Sequence, residues 1–171
     1  MGTSCQFKSE QILILQKRAL RLMYFSDSRA HAIPLFVRSG VLPLNMLYFK
    51  YSAILMLDIS NNRAPSKISE LFVRSNMIHS HYTRFSAAGH FRVQRSRLNQ
   101  LLLSFSRSGV TIWNKTPLTL REHRKDPFKS KLHKLLSKVL ETKNGVCWYE
   151  YHYQFLAKLL IQLKCFSSLY L

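Results

Sequence analysis

Residues 43–60 read Pro-Leu-Asn-Met-Leu-Tyr-Phe-Lys-Tyr-Ser-Ala-Ile-Leu-Met-Leu-Asp-Ile-Ser. Leu44, Leu47, Tyr48, Tyr51, Leu55 and Asp58 recur at steps of three and four, and only Asp58 breaks the apolar character. That is the period of one face of an α-helix. The spacing predicts a helix over 43–59, ended by Asn61-Asn62.

Upstream, Ser9 to Tyr24 also reads as a helix. Ser9 can cap it, Glu10 suits its first turn, and Ile12, Leu15, Ala19 and Leu22 form a stripe that excludes Lys17, Arg18 and Arg21. A short helix is expected over 34–39, with Pro34 in its first turn and Gly40 as a left-handed cap. Downstream, 65–73 reads as another short helix burying Ile68, Leu71 and Phe72.

The pattern changes near Asn76. Gly89 and Gly109 punctuate short runs: His90–Gln94 alternates, and Leu101–Phe105 and Val110–Trp113 are apolar. These runs predict two or three short strands within 89–113, packed by Phe91, Phe105, Ile112 and Trp113. Asp126 and Pro127 then open a helix over 127–142, with Phe128, Leu132, Leu135, Leu136 and Val139 on one face. A last helix is expected over 149–166. The expected class is therefore mainly α with a small antiparallel sheet (α+β).

Charge narrows the function. The 171 residues carry 26 Lys+Arg against 8 Asp+Glu, a formal net charge of +18. Residues 1–83 account for +6, residues 84–143 for +11, and residues 144–171 for +1. Such a surface attracts polyanions and suits paired-carboxylate catalysis poorly. The composition shift near Asn144-Gly145 divides a basic domain, 1–143, from an aromatic amphipathic tail, 144–171.

The three cysteines, Cys5, Cys147 and Cys165, form no CxxC pair, so reduced thiols are expected. The apolar run Ile12–Leu15 is stopped by Gln16, Lys17 and Arg18 and does not read as a signal peptide. The expected location is intracellular, nuclear or cytoplasmic, and not secreted. His79, His81 and His90 lack the cysteine partners usual for structural zinc, and no metal or other cofactor is expected. GxxxxGK[ST], GxGxxG and GxSxG do not occur. No catalytic residues and no small-molecule substrate are therefore assigned.

What survives is a basic, nucleic-acid-handling region over 84–138. Its candidate contacts are Arg84, Arg92, Arg95, Arg97, Arg107, Lys115, Lys129, Lys131 and Lys134. Arginine contacts phosphate bidentately, and lysine tracks it as a point charge. The interleaved Phe85, Phe91, Phe105 and Trp113 read first as core. A membrane surface, bound through the amphipathic tail, is the less favoured partner.

The ordered motifs also carry a resemblance. Leu15-Gln16-Lys17-Arg18-Ala19-Leu20-Arg21 resembles the LQKRALR helix found downstream of the polymerase core in non-LTR retrotransposon (LINE-type, jockey-like) reverse transcriptases. Ala30-His31-Ala32-Ile33-Pro34-Leu35-Phe36 resembles their AHTEPLF turn, Val41–Leu57 the helix that follows, and Pro65–Phe72 their P…FF pattern. His81-Tyr82-Thr83-Arg84 is similar to YNTR. Gly109-Val110-Thr111-Ile112-Trp113-Asn114-Lys115-Thr116-Pro117, followed by Phe128-Lys129-Ser130-Lys131-Leu132, resembles G..IWN.LP … FK..LK. The matches span about residues 11–140 in order.

This resemblance implies binding of RNA or an RNA–DNA hybrid during target-primed reverse transcription. It also implies a polymerase thumb, elsewhere in a parent polyprotein, as a protein partner. No endonuclease, palm Asp-Asp motif or Cys/His zinc knuckle is found in these residues, so the resemblance carries no enzyme activity across. Residues 144–171 match nothing in the family, and a functionless remnant of such an element is the remaining alternative.

Overall fold

The computed structural model describes residues 3–78, 88–95, 104–122 and 124–142, with side chains from Ser9 to Glu141 within them. Seven α-helices lie among the described residues: α1 (Thr3–Met23), α2 (Ala32–Ser39), α3 (Leu44–Ser60), α4 (Ser66–Ser69), α5 (Phe105–Lys115), α6 (Leu118–Arg121) and α7 (Lys125–Thr142). A 3-10 turn spans Ser75–Met77.

The centre is α3. Met46, Phe49, Ala53, Met56 and Leu57 are fully buried, and α5 and α7 both pack on this helix. Phe128, Leu132, Leu136, Val139 and Leu140 of α7 are buried on the same core. The two helices run antiparallel: Lys125, at the start of α7, pairs with Asp58 near the end of α3. Ser108 of α5 bonds the Tyr48 hydroxyl of α3 at 2.8 Å. At the other end, α1 meets the α2–α3 connection through one side chain. Gln16 donates to the Leu42 carbonyl at 3.0 Å and accepts the Leu44 N–H at 3.1 Å.

These contacts settle which faces turn inward. The expected stripe of α3 ends in exposed Tyr51 and Leu55, while the residues between its members fill the core. In α1 the expected Ile12, Leu15 and Leu22 face outward, and Leu13 and Leu20 are buried instead. Both helices carry apolar residues on more than one side, so period alone leaves the rotation open. Gln16 supplies the missing constraint. The short helix expected over 65–73 is confined to α4, Ser66–Ser69, and buries no residue; Phe72 beyond it is buried, and Ile68 and Leu71 are exposed.

The expected antiparallel sheet is not there. Among the described residues no strand occurs, and the class is mainly α. Residues 105–115 form α5, so Val110–Trp113 is helical, with Gly109, Val110, Ile112 and Trp113 buried. Gly109 explains part of the misreading: it is a place where a ring passes close, rather than a turn. A Cβ there would stand 2.7 Å from Phe105 Cε2, one helical turn away. Of the other expected strands, His90–Gln94 is extended but makes only an isolated antiparallel bridge, Arg74 to Phe91, and 101–103 lie outside the described residues.

On the edge of this segment away from Val73 and Ser75, a side chain takes up the backbone groups. Asn114 Oδ1 accepts the Phe91 N–H at 2.9 Å, and Asn114 Nδ2 donates to the Phe91 carbonyl at 2.7 Å. Both backbone groups of Phe91 are thereby satisfied while its ring stays buried, edge-on to Phe72 at 6.3 Å.

The other boundaries follow local chemistry. Gly40 ends α2 at φ 66, as expected of a left-handed cap. Asp126 sits inside the first turn of α7, where its carboxylate favours the positive helix end, rather than at the N-cap. The expected 149–166 helix and the boundary near 144 lie outside the described residues.

Two substitutions test this description. Nothing lies within 4 Å of a Cβ added at Gly40. Gly40→Ala is therefore expected to lower stability by about 1 kcal/mol through backbone strain alone, read as a shifted urea midpoint at constant slope. Asn114→Ala is expected to cost about 2 kcal/mol, because Phe91 loses two partners at once. Hydrogen exchange should show the Phe91 amide losing its protection.

Candidate nucleic-acid interface

The described residues place the candidate contacts on three elements. Arg92 and Arg95 are exposed on the extended segment 88–95. That segment is tied down along its inner side. The Arg92 N–H donates to the Val73 carbonyl and the Ser75 N–H to the His90 carbonyl, each at 2.9 Å. Trp113 Nε1 donates to the Gly89 carbonyl at 3.4 Å, and His90 Nε2 lies 3.0 Å from the Asn114 carbonyl. Within this strip Phe91 is buried, while Arg92, Val93, Gln94 and Arg95 are all exposed.

On α5, Arg107 is half-buried and Lys115 is exposed in the last turn, where a cation complements the helix dipole. On α7, Lys129 lies 3.7 Å from the Asp126 carboxylate. Lys131 and Lys134 are exposed, and Lys138 continues their stripe at the same three–four step. Arg84 and Arg97 lie outside the described residues. The arginine strip is fixed to α5 and the lysine stripe belongs to α7, so these two groups sit on separate elements packed around α3.

Two arginines turn out to be structural. Arg121 donates from Nε to the Thr116 carbonyl at 2.9 Å and from Nη1 to the Ala88 carbonyl at 3.0 Å, with its guanidinium 5.1 Å from the Trp113 ring centre. Burial lowers its pKa to about 10, so it stays cationic at neutral pH. Arg74 donates to the Ser60 carbonyl and lies 5.8 Å from the Phe91 ring centre. Neither is marked in the sequence, since nothing in their neighbours distinguishes them from a surface arginine. Phe91 and Trp113 are core residues here, as first read.

His133 is a third residue without a sequence signal. Its Nδ1 is buried without a hydrogen-bond partner, and its pKa is lowered by desolvation and then by Lys50. The unfolded chain, with histidine near 6.5, therefore binds the proton first. The stability that His133 contributes is complete above pH 6.5 and is lost as pH falls below it. Urea midpoints measured between pH 7.5 and 5 should fall for the wild type and fall less for His133→Gln.

Among the described residues no group of three or more His, Cys, Asp or Glu could hold a metal ion. No single described helix is long and apolar enough to cross a membrane. The chain matches no family model, no curated protein and no solved structure.

Proposed function

We propose that this chain is a non-catalytic, nucleic-acid-handling part of a non-LTR retrotransposon reverse transcriptase polyprotein, binding RNA or an RNA–DNA hybrid without sequence preference. The observation that carries the binding is the exposed lysine stripe of α7, Lys131, Lys134 and Lys138, on a chain with eight acids for twenty-six bases. The formal net charge of +18 gives the chain a strong excess of bases over acids. The stripe spans seven helical steps, about 10 Å, the length of roughly three phosphates along one strand of a duplex. Arg92 and Arg95 add a second exposed cationic element.

The origin rests on the resemblance, and the residues that carry it have structural roles. In the motif Ile112-Trp113-Asn114, Ile112 is buried, Trp113 lies under Arg121, and Asn114 pairs with Phe91. Packing, rather than chemistry on a substrate, accounts for those residue types. A polymerase thumb of the parent polyprotein is the protein partner this reading expects.

Filter binding to single-stranded RNA over a salt series tests the electrostatic part. Affinity should fall with salt with a log–log slope of about −0.7 per phosphate neutralised. Lys131→Gln/Lys134→Gln/Lys138→Gln should flatten that slope by about 2 and weaken different sequences alike. Affinity independent of salt would overturn the proposal.

A further inference from the structure

The outer side of α1 is apolar and open. Ile12, Leu15, Leu22 and Met23 are 51%, 60%, 76% and 69% exposed. With exposed Ala19 they form one stripe, at the three–four step, along the side away from buried Leu13 and Leu20. The stripe ends in Phe25, which is 99% exposed. Phe25 also holds a left-handed backbone, φ 48, an unfavourable conformation for a bulky residue. The turn is built rather than loose. The Phe25 N–H donates to the Leu22 carbonyl at 3.2 Å, the Ser26 N–H to the Arg21 carbonyl at 2.9 Å, and Arg21 Nε to the Ala30 carbonyl at 3.0 Å. From Ile12 to Phe25 the surface runs about 20 Å.

Its surroundings are cationic. Arg18 is exposed one turn before Leu22, and Arg29 is exposed in the following turn. Exposed Arg38 lies over the Tyr24 ring at 5.1 Å, beside Phe25 in the chain. The one acid in this turn is Asp27, which accepts a hydrogen bond from Ser28 at 3.3 Å.

This chemistry selects among occupants. A second copy would bring the same arginines together on two chains of net charge +18, a like-charge approach that is costly. A nucleic acid offers phosphates to the arginines but little to cover Ile12, Leu15, Leu22 and Met23. An anionic bilayer satisfies both: aliphatic and aromatic side chains enter the acyl boundary while the arginines meet lipid phosphate. We propose that α1 lies in the plane of an anionic membrane surface, with Ile12, Leu15, Leu22, Met23 and Phe25 inserted. This surface is separate from the basic elements proposed to hold nucleic acid.

Co-sedimentation of the full chain with phosphatidylcholine vesicles, with and without phosphatidylserine, tests it. The wild type should partition to the serine-containing vesicles. Leu22→Ser/Phe25→Ser, at two exposed positions, should lose at least about tenfold in partitioning, the equivalent of a buried apolar side chain. Its circular dichroism and its RNA filter binding should be unchanged. Arg18→Gln/Arg29→Gln/Arg38→Gln should remove the preference for the anionic lipid. The proposal fails if the wild type does not partition, if the double serine variant partitions as the wild type does, or if ultracentrifugation shows a dimer that the serine pair dissociates. Loss of RNA binding with vesicle binding retained would overturn only the nucleic-acid proposal.

Discussion

One constraint organises this molecule: α3 is apolar around most of its circumference, and such a helix is stable in water only where other elements cover it. Helices α5 and α7 cover two of its sides. Met46, Phe49, Ala53, Met56 and Leu57 belong to the shared core, with no appreciable exposure. The polar links are few and lie at the margins. Tyr48 meets Ser108, Asp58 meets Lys125, and Gln16 holds the loop that enters the helix. The acids are sparse enough that Asp58 has an identifiable structural task, which leaves still less negative charge to offset the bases.

The same scarcity explains how a basic chain folds without crowding its charges. Arg121 and Arg74 are accommodated by backbone carbonyls and aromatic faces rather than by carboxylates. Each ties a loop to the core: Arg121 reaches Ala88, and Arg74 reaches Ser60. Among the described candidate contacts, Lys131 and Lys134 on α7 and Arg92 and Arg95 on the anchored strip are exposed. Burial thus separates the arginines that hold the fold from the exposed cations proposed to meet nucleic acid.

Much of the architecture was legible in the residues. The helices over 43–59 and 127–142, the short helix closed by Gly40, and the inner face of α7 all follow from period and caps, which are local properties. What was not legible depends on contacts distant in sequence. Val110, Thr111 and Ile112 are β-branched, and Gly109 precedes them, so the run looks like a strand; burial against α3 and the Phe105 ring over Gly109 make it a helix. The extended run at 90–94 is held by residues 73–75 on one edge and by the Asn114 side chain on the other, both distant in sequence. The rotation of α1 depends on Gln16, twenty-six residues from its acceptor Leu42. Among the candidate contacts, the exposed lysines of α7 could be read from helical spacing. The structural arginines could not, because carbonyl and ring contacts leave no trace in sequence.

The proposed function has the basic surface of α7 meeting nucleic acid directly. Lysine acetylation footprinting by mass spectrometry, with and without single-stranded RNA, addresses it residue by residue. RNA should protect Lys131, Lys134 and Lys138 and leave Lys125, which pairs with Asp58, unchanged. RNA that binds the chain while those three lysines react as in its absence would contradict it.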